Sequence, residues 1–480
     1  MAGEQTVDVV VIGAGLGGLL SAAQFLRRGK RVVVVERLAH PGGRFTAKPF
    51  QGAQVSTGAV HMVPFGTNGE LAAMLRALGV PHRIHDSEVF GSFHVRGQQH
   101  VCRSVLQLAG VLGMRQFGQF VRLGYDMLLK TPQPMERSQT YREWLDQRIS
   151  RETSPELYSY FERVCHFALS ADLDDVTYPE IVETTKNMFR YGAPGIVDGG
   201  CAALTGQLEQ QVTGNGGTIR LQHEVLAIEH DATSVTGVRV RDRQSGVETL
   251  LRATTVISNI GPSATRRLMY TRALAHAGAG STSTAIDASG ERTHQAEHRP
   301  RREAAGLKVH LLSDVSIIPH RGIMYCLDTE RIAGVVQPSN SDPRLAPPGK
   351  HLLITHQLMR SDDVNAEREA ARADLRRLFG DAFGTSITIL TMSQYRGEWP
   401  VNRAVQGEDV TPEMNLRGLY LVGDAAKPSG YLMVEGVAQS VNALLDTLGK
   451  PEGARYTPQK PSKRRAFHWL VAPPPPHPGS

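Results

Sequence analysis

The sequence predicts an α/β fold in which a Rossmann-like dinucleotide-binding domain is interrupted by a discontinuous α+β substrate domain. Three observations predict it: a β-branched apolar run over residues 7–12, a glycine-rich turn directly after it, and a second such run over residues 32–35 ending in Glu36. The length agrees, because 480 residues exceed what one core commonly organises and suggest two or three domains.

The first run lacks polar alternation, which suits a strand buried on both faces of a parallel sheet. After the turn, Leu19, Ala22, Ala23 and Leu26 recur at helical spacing and Gly29 is placed to end the helix. Strand, helix and second strand make one βαβ unit. The pattern then predicts a loop through Pro41, Gly42 and Gly43, an amphipathic helix over 70–78, and a long helical stretch over 105–129. A helix over 203–212 leads to strands at 218–221, 225–228, 235–241 and 255–257, which read as a return to the dinucleotide domain. Strands at 309–312, 323–326 and 352–357 predict a second sheet, and residues 366–378 an amphipathic helix. The domain boundaries follow: 1–90, 196–265 and 396–450 for the cofactor domain, 91–195 for a helical segment of the substrate domain, and 266–395 for its sheet segment. Residues 275–304 read as a flexible insertion, and the basic, Pro-rich 451–480 as a disordered tail.

Composition narrows the function. The net charge of +6 is concentrated in local clusters, and no ordered basic stripe interleaved with aromatics is present, so nucleic acid is not an expected partner. Four cysteines stand far apart without metal-ligand spacing, which predicts reduced thiols and no metal. No run approaches the ~18 apolar residues of a membrane span, and the short polar N-terminus leaves no room for a signal peptide. A cytoplasmic protein is expected.

Gly13-Ala14-Gly15-Leu16-Gly17-Gly18 lies between the strand and the helix. Its first glycine makes the tight turn, the second admits a pyrophosphate to the backbone, and Gly18 lets helix and strand pack closely. Glu36, at the end of the second strand, accepts ribose hydroxyls and repels a 2′-phosphate, so the site suits FAD or NAD and not NADP. Pro41-Gly42-Gly43-Arg44 follows, and Gly418-Leu419-Tyr420-Leu421-Val422-Gly423-Asp424 lies near the C-terminus.

With these three motifs in this order the chain resembles the FAD oxidoreductase superfamily of amine oxidases, protoporphyrinogen oxidase and phytoene desaturases, from Val9 to Leu445. The resemblance implies a two-dinucleotide-binding-domain FAD fold with non-covalent FAD. It places Glu36 with Arg37 at the ribose, Gly43 and Arg44 at the pyrophosphate and flavin, Val225 at the adenine, and Asn259 and Gly423-Asp424 beside the ribityl and phosphate portion. Residues 191–220 and 256–262 look most like the phytoene desaturase and carotenoid isomerase branch. Gly58-Ala59-Val60 and Met433-Val434 are then expected beside the isoalloxazine, although both segments depart from true carotenoid desaturases. His61 and Glu435 are the candidate catalytic residues. Each has a structural alternative: a hydrogen-bonded core histidine, and a carboxylate favoured by a helix N-terminus.

The resemblance implies hydride transfer between flavin N5 and a carbon of an apolar, polyene-like substrate, with an electron partner that the sequence does not identify. Alternatives are an isomerase, a reductive cyclase of a polyene natural product such as a polycyclic tetramate macrolactam, an amine oxidase, or a GDP-dissociation-inhibitor-like binder of lipid and protein without flavin. Residues 105–129 supply apolar surface that includes Phe117 and Phe120, and Arg103, Arg115, Arg122 and Lys130 are placed to meet anionic head groups, which predicts a peripheral membrane contact. The alternative is an ordinary helical pair packed on the substrate domain and broken near Gly113 or Gly118.

Overall fold

The computed structural model of this chain describes residues 3–276 and 303–449. The tail after 450 and nearly all of the insertion expected at 275–304 lie outside the described residues.

A parallel five-stranded sheet forms the centre of the cofactor domain, in the order Thr218–Arg220, Val32–Val35, Val9–Ile12, Thr255–Ser258 and Leu419–Leu421. Its strands are β-branched because both faces are covered. Val9, Val11, Val32 and Val34 pack against the helices Leu16–Leu26, Gly200–Gly214, Glu70–Leu78 and Met433–Thr447. The alternating Val10, Ile12, Val33 and Val35 pack against an outer sheet ordered Gly3–Thr6, Glu248–Arg252, Val235–Asp242 and His223–His230. Period two thus divides one apolar run between two cores.

The substrate domain is built on a seven-stranded sheet in the order Ile387–Tyr395, Gly306–Ser313, His351–Leu358, Ile332–Val336, Met324–Cys326, Gly91–Val95 and Gln98–Cys102. Every pairing is antiparallel except that of Met324–Cys326 with Gly91–Val95. Residues 91–195 are therefore not wholly helical: the last two strands at one end of this sheet, Gly91–Val95 and the edge strand Gln98–Cys102, come from them. Leu307, Val309 and Leu311 face the helix Val364–Phe379. By alternation Lys308 and His310 point to the opposite face, where the helices Pro155–Ala168 and Tyr178–Tyr191 and their aromatic core lie. That core includes Trp144 stacked on Tyr178 with centroids 4.3 Å apart.

The sequence pattern did not show the helix Pro262–His276. It runs across the expected 265/266 boundary and packs on the outer sheet of the cofactor domain, so that domain extends further than expected. No helix among the described residues is long and apolar enough to cross a membrane.

Candidate functional site: a dinucleotide crevice opening into an apolar cavity

Four strands of the parallel sheet end at one crevice, where each hands over to a candidate residue: Val9–Ile12 to Gly13, Val32–Val35 to Glu36, Thr255–Ser258 to Asn259, and Leu419–Leu421 to Gly423. Ligands of open parallel sheets bind outside the carboxyl ends of the strands. A cavity of about 650 Å³ occupies that position.

The glycine turn has the geometry its sequence implies. Gly13 has φ +93°, and a Cβ on Gly18 would lie 2.0 Å from the Gly13 carbonyl oxygen, so that position admits no side chain. Gly15 caps the helix Leu16–Leu26 in an extended conformation, no side chain satisfies the first turn, and no acid lies there. Its N–H groups are left for an anion, with a dipole contribution of about 0.3–1 kcal/mol per charge. Glu36 is buried, and its two oxygens accept from Ala14 N at 2.8 Å and Leu38 N at 2.9 Å.

Behind the turn sits a charge cluster. Arg44 pairs with Asp424 at 2.7 Å and donates to the carbonyls of Pro400 and Val401. Asp424 also accepts from Arg403 N at 2.7 Å and its guanidinium at 3.3 Å. Burial alone would raise the Asp424 pKa, but Arg44, Arg403 and Lys427 hold it well below the usual carboxylate range. Arg44 and Arg403 bring two guanidiniums to the place where a pyrophosphate would be held, with Asp424 between them and Glu303 near both. At the far end, Met433 and Val434 open the helix Met433–Thr447, whose N-cap Leu432 carries no side-chain cap, so unpaired amides are available to a carbonyl of a flavin ring. These donors and acceptors fit FAD at both ends of the molecule.

Of the cofactor residues expected from sequence, Gly13, Gly15, Glu36, Arg37, Gly43, Arg44, Gly58, Ala59, Val60, Val225, Asn259, Gly423, Asp424, Met433 and Val434 all line this cavity. Gly18 does not; it serves the packing of helix on strand. Val225 lies at a register shift in its strand pair. The Asn259 amide sits so close over Gly15, Gly17 and Gly423 that a Cβ on any of them would meet it within 2.7 Å.

His61 and Glu435 are not cavity residues, and the catalytic expectation for both is corrected. His61 is fully buried, its Nε2 bonded to Gln54 O at 3.0 Å and its Nδ1 accepting from Cys201 N at 3.1 Å. Burial lowers its pKa to about 4, so the ring stays neutral, as its role of acceptor requires. Glu435 is equally buried and accepts from Leu71 N at 2.8 Å and Phe65 N at 3.4 Å, capping the helix Glu70–Leu78 from a neighbouring element. Burial, reinforced by Glu70, raises its pKa to about 7. We expect Glu435→Ala to destabilise the fold by about 1–3 kcal/mol through the orphaned amides, with turnover per bound flavin unchanged. Thermal unfolding beside flavin-normalised activity checks this. The group's raised pKa adds stability that is full below about pH 4.5 and is lost as pH rises through 7, so the penalty of the variant shrinks over that window.

The sequence reading missed Lys308, His356, Trp399 and Arg403, which also line the cavity. Lys308 is 3% exposed and lies 5.7 Å from the centroid of the Tyr395 ring, and among the described residues no carboxylate pairs with it. Burial lowers its pKa to about 7. Its alternation with Leu307 and Val309 is that of a strand with one polar face to solvent, so the local pattern does not mark it as a cavity residue. Trp399 is held over the crevice by donating Nε1–H to Thr57 O at 3.2 Å. Among the described residues no cluster of His, Cys, Asp or Glu could hold a metal ion.

Comparison with known proteins agrees with this geometry. The chain is 32% identical over 431 residues to an uncharacterised protein of Methanocaldococcus jannaschii, covering 90% of this chain and 96% of that one. The crystal structure of an oxidoreductase from Methanosarcina mazei is 32% identical, with a TM-score of 0.78, and covers 92% of this chain and 100% of its own. Likeness to a chloroplastic prolycopene isomerase of Arabidopsis thaliana is confined to 76 residues at 36% identity, 16% of this chain and 13% of that one. Residues 16–440 match the profile described as flavin containing amine oxidoreductase. The crevice with its FAD donor set, the α/β architecture and this match place the chain in the flavin-containing amine oxidoreductase family, whose members bind FAD.

Proposed function

We propose that this flavoprotein desaturates an apolar, polyene-like substrate, as in the phytoene desaturase branch of its superfamily, with FAD bound non-covalently. The observation that supports this is the part of the cavity wall supplied by the substrate domain. Phe167, Ala168, Met188, Pro194, Ile323 and Tyr325 make it apolar, and the helices and the seven-stranded sheet contribute no carboxylate to it. Phe167 meets Tyr325 and His356 edge to face, so these rings pack on each other and do not stand as parallel plates around a cation. A protonated amine in this slot would find Lys308 beside it, while Glu303, the carboxylate that the segment before the sheet brings to the cavity, faces Arg403 and Arg44. A covalent link through cysteine is not open to the flavin, because no cysteine lines the cavity.

Bound FAD supplies the acceptor for a hydride. The protein's share is to hold the substrate in an apolar slot, exclude water and take up a proton. Desaturation takes a hydride and a proton from adjacent carbons; the hydride would go to bound FAD, and Lys308 Nζ, near half-neutral at pH 7, would receive the proton. Electrons then leave to oxygen, a quinone or another carrier. Among the described residues a single glycine-rich turn joins strand to helix with an acid after the next strand, so no second dinucleotide fold is present for a nicotinamide. Anaerobic mixing of the oxidised protein with conjugated polyenes is expected to bleach the flavin absorbance, whereas NADPH alone leaves it oxidised. Bleaching by primary amines and not by polyenes would overturn the reading.

A further inference from the structure

We infer that the helix 108–129 and its flanks form a docking surface for an anionic lipid bilayer. The segment is broken at Gly113, whose φ of +75° and ψ of 156° leave the helical region, so a short and a long helix lie end to end. Leu108, Val111, Leu112, Leu123 and Met127 face inward. Phe117 and Phe120, expected from sequence on the membrane face, belong to this inner side: Phe120 stacks on Phe161 and meets Tyr160 edge to face. The outward face carries Met114, Val121, Tyr125 and Leu129, at spacings of seven, four and four residues, and they are 76%, 53%, 55% and 72% exposed. With Leu106 and Met135 they gather in one short stretch of chain half of the large apolar side chains that are strongly exposed among the described residues. Scattered single exposures are ordinary, but a concentrated stripe marks an interaction surface.

Charge selects the partner. Arg103, Arg115, Arg122 and Lys130 are exposed along the same segment, and the acid within it, Asp126, is buried and paired with Lys130. A protein partner would be expected to match mixed charge; an exposed face that is apolar and basic without exposed acid is complementary to acyl chains beneath anionic head groups. The kink aids this, because the short and the longer helix can each lie in the surface plane, where one continuous apolar helix would be needed to cross. The segment packs on both helices whose Phe167, Ala168 and Met188 line the cavity, so an apolar substrate dissolved in the bilayer would be near its route of entry. The inference does not depend on the substrate.

Flotation of the FAD-loaded protein with vesicles tests it. Phosphatidylcholine alone should recover little protein, vesicles with about a third phosphatidylglycerol should recover most, and raised salt should reverse the gain. Combining Met114→Ser, Val121→Ser and Leu129→Ser should weaken binding at least about tenfold. Combining Arg115→Gln and Arg122→Gln should weaken it roughly fivefold per charge on the anionic vesicles alone. Melting temperature and flavin content, both unchanged, show that the variants are folded. Failure of the parent protein to float with either vesicle overturns the inference. So does a parent dimer that the serine variant converts to monomer while flotation is unaltered, which would assign the face to a second copy of the chain.

Discussion

Replacing Lys308 by methionine lowers turnover by roughly 10²- to 10⁴-fold while FAD stays bound and the protein becomes more stable at neutral pH. Loss of rate is expected because, in the proposed desaturation, Nζ is the group on the apolar wall that receives the proton. The gain in stability has a separate cause. Lysine is the one cation of its strand, it is buried, and its pKa of about 7 against the usual 10.5 records how strongly the site disfavours charge. At about 1.4 kcal/mol per unit, relief of that penalty is on the order of 5 kcal/mol below pH 7. Methionine fills a similar volume without the charge. Between pH 7 and 10.5 the unfolded chain holds a proton that the folded chain has released, so this group makes the parent protein more stable as pH rises through that window. The advantage of Lys308→Met should therefore be largest at pH 6–7 and vanish above about pH 10.5. Melting curves of both proteins across this range, with flavin-normalised turnover at each pH, check the two effects independently. A variant that turns over normally removes Lys308 from the reaction, and one that melts lower than its parent at pH 6 removes the buried-charge penalty.

That lysine also shows what the sequence can and cannot reveal. Gly13, Gly15, Gly18 and Glu36 were legible because the chemistry of a pyrophosphate and a ribose fixes their spacing along one βαβ unit, and Gly423-Asp424 because the last parallel strand ends in the same crevice. Lys308 alternates with Leu307 and Val309, a pattern that reads as a strand with one polar face to solvent. The polar face instead looks into a cavity closed by helices more than a hundred residues upstream, and no local pattern reports that closure. His61 and Glu435 mislead for the converse reason. They flank cofactor-lining residues in sequence, but each strand or helix step turns the next side chain away, and both end in buried hydrogen bonds to backbone. Phe117 and Phe120 fell on the wrong face because the break at Gly113 resets the phase of the helix that follows.

Changing Asp424 to alanine is expected to yield a protein that loses FAD. The carboxylate is nearly buried between Arg44 at 2.7 Å and Arg403 at 3.3 Å, and it also receives the Arg403 amide. Without it two guanidiniums face each other in a crevice that burial has already made costly for charge; for Arg403 burial, with Arg44 adding repulsion, lowers the pKa to about 10. Breaking a buried ion pair on one side costs about 3–5 kcal/mol, because the remaining charge keeps its desolvation penalty. Arg44 would also release the Pro400 and Val401 carbonyls as it turns to solvent, and the loop bearing Trp399 would lose its anchor over the crevice. Asp424→Asn keeps the shape and one acceptor, so its loss of flavin should be smaller. The sign with pH is fixed by the depressed pKa: the stabilisation is present above about pH 4 and is lost progressively as pH falls toward the folded value, so the acid limb of the parent's stability curve should be missing in both variants. The ratio of flavin to protein absorbance after desalting, with circular dichroism before and after adding FAD, separates loss of cofactor from loss of fold. An alanine variant that retains stoichiometric flavin and melts with its parent would show that the Arg44–Asp424–Arg403 cluster holds neither the loop nor the cofactor.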